Sequence, residues 1–111
     1  MAVSEDFITY LHEQLADLGE ITGKKMFGGY GFFHEGKMFA MVGNGAFRLK
    51  VDDTNRREFL DHGMEPFHSG GKKKGMPYWE VPVEVLEDRS RVTAWARKSI
   101  AIAHAAPAGK K

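Results

Sequence analysis

Five histidines, His12, His34, His62, His68 and His104, and not one cysteine are what this chain offers a metal ion. Zinc needs three or four convergent ligands, and closely spaced pairs such as H-x-x-x-H or H-E-x-x-H advertise such a site. Neither spacing occurs, and the histidines are scattered over separate predicted elements, so no metal or other cofactor is expected. Nucleophilic chemistry has as little to work with. There is no G-x-S-x-G and no cysteine, and no carboxylate pair is marked out. Glu5, Asp6, Asp52, Asp53, Glu87 and Asp88 fall at helix starts or solvent faces, where capping and the helix dipole account for them. The chain does not read as an enzyme.

Recognition chemistry has more material. Lys24-Lys25-Met26-Phe27-Gly28-Gly29-Tyr30-Gly31-Phe32-Phe33 combines cations, glycines and aromatic rings. Its glycines lack the G-x-G-x-x-G spacing and lead into a strand, whereas a phosphate cradle needs a helix N-terminus. Glycines inside a strand mark a bulge or a place where another element lies on bare backbone. Tyr30, Phe32 and Phe39 beside Arg48 and Lys50 resemble a base-stacking sheet, on which each stacked base is worth ~1–3 kcal/mol. The Lys72-Lys73-Lys74 run, in a loop from His68 to Gly75, would add attraction for a phosphate backbone. An apolar sheet face of this kind is more often covered by a helix or by a second chain.

These residues are positioned by elements that can be read from period and punctuation. Phe7, Ile8, Leu11, Leu15 and Leu18 form one helical stripe from Ser4, a capping residue, to Gly19. From Ile21 to Val51 the period is two, giving three antiparallel strands over 22–34, 37–43 and 46–51. Two-residue turns at Glu35-Gly36 and Asn44-Gly45 join them. That register puts Gly31 opposite Ala40 and sorts the side chains into two faces. Phe27, Phe33, Met38, Ala40, Val42, Phe47, Leu49 and Val51 form a core face, with Gly29 and Gly31 beneath a helix. Met26, Tyr30, Phe32, Phe39, Met41, Arg48 and Lys50 form an outer face. Asp52 and Asp53 would cap a short helix through Arg56, Phe59 and Leu60 that Gly63 ends. Glu65-Pro66-Phe67 and Met76 to Val81 read as short strands, and Pro82 opens a single turn through Val85 and Leu86. Asp88 or Ser90 caps a last helix bearing Val92, Trp95, Ala96, Ser99, Ile100 and Ala103, which Pro107 ends. The order is α-β-β-β-α-β-β-α, an α+β domain over 1–106 with a flexible basic tail at 107–111.

The totals agree with a single soluble unit. The 111 residues are 42% hydrophobic and 28% charged, with a formal charge of +1 that by itself indicates no nucleic-acid partner. No apolar run reaches the ~18 residues of a membrane span, and the N-terminus lacks a signal peptide's basic and apolar regions. A cytoplasmic location is expected.

Lys25-Met26-Phe27-Gly28-Gly29-Tyr30-Gly31, then Gly36-Lys37-Met38-Phe39-Ala40 and Leu49-Lys50-Val51-Asp52, resemble the N-terminal domain of the TfoX/Sxy competence regulators. Pro66-Phe67, Tyr78-Trp79-Glu80-Val81-Pro82, Leu86-Glu87-Asp88 and Trp95-Ala96 continue the likeness in order, so it spans about residues 5 to 104. Pro77 and His68 depart from the residues usual there. The resemblance implies an antiparallel sheet with packed helices, of the secretion-chaperone type. It implies no catalytic motif. Longer relatives add a helical C-terminal domain and activate DNA-uptake genes; the present chain is expected to resemble a stand-alone N-terminal domain. The expected function is therefore a small regulatory module acting through protein contacts, with another protein or with itself as a homodimer. Tyr30, Phe32, Phe39, Met41, Arg48, Lys50 and Lys72 to Lys74 are its expected contact surface. Direct nucleic-acid binding through the same residues is the alternative.

Overall fold

The computed structural model describes residues 5–26, 29–43, 45–64, 66–67 and 76–105. The expected cap at Ser4, core position of Phe27, turn residue Asn44, strand residue Glu65, loop from His68 to Gly75 with Lys72, Lys73 and Lys74, stop at Pro107 and basic tail lie outside the described residues.

α1 (Glu5–Gln14) tightens into a 3-10 turn, Ala16–Leu18, before Gly19 stops it at φ 89°. Leu11, Leu15 and Leu18 are buried as their spacing implies, and Phe7 and Ile8 pack against the same core. The segment read as one strand over 22–34 is two. β1 (Thr22–Met26) and β2 (Gly29–His34) pair antiparallel, with Met26 opposite Gly29, so Gly29 begins a strand instead of interrupting one. There follow β3 (Lys37–Gly43), β4 (Ala46–Lys50), α2 (Arg56–Asp61), β5 (Pro66–Phe67), β6 (Met76–Glu80), α3 (Val83–Leu86) and α4 (Arg89–Ala105). The strands form one antiparallel sheet in the order β1-β2-β3-β4-β6-β5.

Both predicted reversals are present: His34 pairs with Lys37 and Gly43 with Ala46. Glu35 and Gly36 take φ 51° and 83°, the left-handed pair of a mirror-image hairpin turn. Beyond the first turn the expected register fails. Phe33 faces Met38, but Phe32 faces Ala40 and Gly31 faces Met41, so β3 spends one extra residue, Phe39, against β2. Relative to Ala40 and the residues after it, this bulge reverses the parity of everything up to Met38. Phe32, expected outside, is fully buried, as is the bulged Phe39. Tyr30 joins the core-side row with Val42, while Gly31, Phe33 and Met38, expected inside, belong to the other face. The bulge disrupts a ladder hydrogen bond, at ~0.5–1.5 kcal/mol, and exchanges Phe33 and Met38 for Phe32 and Phe39 in the core while leaving the first pair half-buried.

Helices cover one face. Its central row is Gly23–Phe32–Ala40–Leu49–Trp79 across five strands. α4 runs over β3 and β4, its Val92, Trp95, Ala96, Ser99 and Ala103 buried. Phe59 of α2 packs between Trp79 and Trp95, with ring centroids 6.0 and 4.8 Å away. His12 of α1 lies 5.1 Å from Phe32. Asp88 caps α4, accepting the Arg91 N–H at 3.2 Å, which decides between the two expected capping residues. Asp52 and Asp53 do not cap α2 through their side chains. Asp52 Oδ1 accepts the Thr54 N–H instead, and Asn55 takes the cap position without a side-chain capping bond.

Asn55 is used elsewhere. Only 1% exposed, it accepts the Asp52 N–H at 2.9 Å and donates to the Lys50 carbonyl at 3.2 Å. Ser99 Oγ of α4 donates to that same carbonyl at 2.8 Å. The end of β4 is thereby tied to both α2 and α4.

Candidate functional site

The opposite face of the sheet carries no helix among the described residues. Strand pairing aligns Lys24, Gly31, Met41, Arg48 and Glu80 in one row across it, with Phe33, Met38, Lys50 and Tyr78 on the same side. Phe33, Met38 and Met41 are half-buried, and Lys24 is exposed with its Nζ 5.6 Å from the Phe33 ring centre. Lys24 and Lys25 also lie on β1, an edge strand, where flexible charges oppose pairing with another sheet.

Arg48 sits between Met41 and Glu80, and its Nε donates to the Gly43 carbonyl at 3.4 Å. Burial lowers its pKa and the Glu80 carboxylate opposes that shift. A guanidinium does not lose its proton in a protein, so the centre of this face stays cationic. Lys50 Nζ lies 5.4 Å from the Tyr78 ring centre, and burial pushes the Tyr78 phenol up to about 12.

The expected contact surface is therefore divided. Met41, Arg48 and Lys50 are on the helix-free face as predicted, Met41 and Lys50 half-buried and Arg48 only 8% exposed. Phe32 and Phe39 are inside and offer no surface at all. Tyr30 is half-buried on the helix side, its hydroxyl 3.3 Å from His12 Nε2. The three rings that suggested a stacking platform thus share no exposed surface. Period-two counting could not reveal this, because the added residue at Phe39 leaves no mark in the local pattern.

Chemistry-bearing groups also meet in ways the linear order conceals. His34 and His104, expected to stay apart, approach to 2.9 Å between Nδ1 and Nε2. His62 accepts a contact from Arg91 at 3.5 Å through Nε2, donates from Nδ1 to the Glu58 carbonyl at 2.9 Å, and stands 3.7 Å from Glu84. A groove of about 370 Å³ runs between the β4–α2 turn and α4, lined by Asp52, Thr54, Lys98, Ala101, Ile102 and Ala105. Within it the Thr54 hydroxyl donates to Asp52 Oδ1 at 2.6 Å, the same oxygen that accepts the Thr54 N–H. No helix among the described residues is long and apolar enough to cross a membrane.

The family model for the TfoX N-terminal domain matches residues 13–103. No curated relative matches the chain.

Proposed function

Since the chain belongs to the TfoX N-terminal domain family, we propose that it is a small, non-catalytic regulatory module that engages a partner protein through the helix-free face of its sheet. The observation that carries this reading is the one-sidedness of the packing. α1, α2 and α4 all meet the row containing Phe32 and Trp79, and among the described residues the Lys24–Met41–Arg48–Glu80 row is left without a helix. Met and Phe carbon beside a central, largely buried Arg48, with Lys24, Lys50 and Glu80 around them, has the make-up of a non-obligate protein interface. The module would act in the cytoplasm, by presenting this face, with another regulatory protein or a second copy as partner.

Met41→Glu places a charge in the middle of that surface while leaving the core row untouched. The variant is expected to keep the far-ultraviolet circular dichroism of the parent and to lose partner capture, or the dimer mass in light scattering. Capture and mass unchanged from the parent would overturn the proposal.

Nucleic-acid binding is the competing outcome. With Tyr30, Phe32 and Phe39 turned inward, it would rest on Lys24 and Lys50 of the helix-free face, with Arg48 only 8% exposed between them. It predicts retardation in a gel that weakens with salt, at a slope of about −0.9 per duplex phosphate neutralised. Retardation with that slope, abolished by Lys24→Glu, would replace the protein-contact reading.

A further inference from the structure

The geometry points to a metal site formed by His34, Glu35 and His104, suited to a divalent ion of the zinc class. His34 ends β2, Glu35 opens the turn into β3, and His104 stands on the last turn of α4. One ligand atom from each, an imidazole nitrogen from either histidine and a carboxylate oxygen, all lie within 4.8 Å of one another. A four-coordinate zinc with bonds of ~2.0–2.1 Å holds its ligands about 3.3 Å apart. The nitrogens, at 2.9 Å, need to open by a few tenths of an ångström. The Glu35 carboxylate closes the rest through an exposed, flexible side chain.

The two rings stand nearly perpendicular, at 84°, with centroids 5.1 Å apart and the two nitrogens facing each other. Without an ion, one of these nitrogens carries the proton and donates to the other. With an ion between them both lone pairs turn inward, one ring changes tautomer, and the remaining N–H groups are His34 Nε2 and His104 Nδ1. Both rings stay neutral. Glu35 supplies a negative charge from a left-handed position (φ 51°) that Gly, Asn or Asp fills with less strain. Two imidazoles and a carboxylate, with no thiolate, select borderline ions over calcium or magnesium and leave a position for water. The bound ion would clasp the β2–β3 hairpin to the end of α4, residues 70 apart in sequence.

The test is a titration of the untagged chain with zinc chloride, followed by calorimetry and by ¹H–¹⁵N correlation of the histidine ring nitrogens. One equivalent is expected to bind, shifting the resonances of His34 and His104 and leaving those of His12 and His62 in place. Losing even an outer partner of a metal ligand costs about 10–100-fold in affinity. His34→Ala and His104→Ala are therefore each expected to weaken binding at least about tenfold, and Glu35→Gln to weaken it by less. The ring resonances of the parent chain need no variant to fold. Absence of a saturable equivalent, shifts centred on His12 or His62, or unchanged affinity in both alanine variants would overturn the site.

Discussion

The ring of Tyr30 lies over the bare backbone of Gly23: a Cβ built on Gly23 would stand 2.0 Å from the Tyr30 hydroxyl and 2.5 Å from two ring carbons. An aromatic side chain covering a glycine on the neighbouring edge strand hides backbone that would otherwise meet water. The hydroxyl then reaches His12 of α1, joining edge strand, second strand and first helix in one contact.

Gly23→Ala is expected to displace that ring and destabilise the fold by ~1–3 kcal/mol, read as a lower urea midpoint at unchanged slope. Tyr30→Ala should cost stability too, but the double variant should cost less than the sum of the singles, because the clash disappears with the ring. Strict additivity would mean the two residues are not in contact in solution.

At the end of β4, Asn55→Ala removes two hydrogen bonds from a side chain only 1% exposed, and is expected to destabilise by roughly 1–3 kcal/mol. Ser99→Ala removes one, at a cost of ~0.5–1.5 kcal/mol. Together they strip the Lys50 carbonyl of both side-chain donors, so the pair should exceed the sum of the singles in thermal unfolding.

Alkaline stability should depend on Tyr78. An unfolded chain releases this proton near the ordinary 10.0, whereas burial holds it in the folded chain up to about 12. Unfolding between those values therefore releases a proton. The contribution is intact below pH 10, shrinks as pH rises, and is gone above about 12, a loss on the order of 2–3 kcal/mol. Tyr78→Phe should flatten this limb of the stability profile. Parallel profiles for parent and variant would refute the assignment.

Thr93 of α4 is 7% exposed, and its hydroxyl has no hydrogen-bond partner among the described residues. Valine keeps the branched shape and removes the stranded polar group, so Thr93→Val is expected to raise stability by about 1 kcal/mol. A fall of similar size in the calorimetric midpoint would show that the hydroxyl is satisfied in solution.

Several of these relationships were legible before any coordinates. The stripe of Leu11, Leu15 and Leu18, the positive-φ glycine stops at Gly19 and Gly63, and the tight turn at Glu35-Gly36 are local features, and each appears where residue type and spacing put it. Met41, Arg48 and Lys50 were assigned to the correct face because they lie on the far side of the bulge from Phe32, where counting by two still held.

Three things were not legible. The split of 22–34 into a hairpin needed the pairing of Met26 with Gly29, and nothing between those residues matches the favoured Asn-Gly signal. The inward turn of Phe32 and Phe39 needed the bulge. The meeting of His34 with His104 needed α4 to lie across β3 and β4.

From its own order of residues, the chain specified which segments are helical, which are extended and where most of them reverse, because propensity, capping and turn strain act within a few neighbours. Parity along the sheet and the pairing of distant side chains were left to tertiary structure. One inserted residue inverts a whole face at the cost of a single ladder bond, and it is helices far along the chain that bury Phe32 and Phe39 in place of Phe33 and Met38.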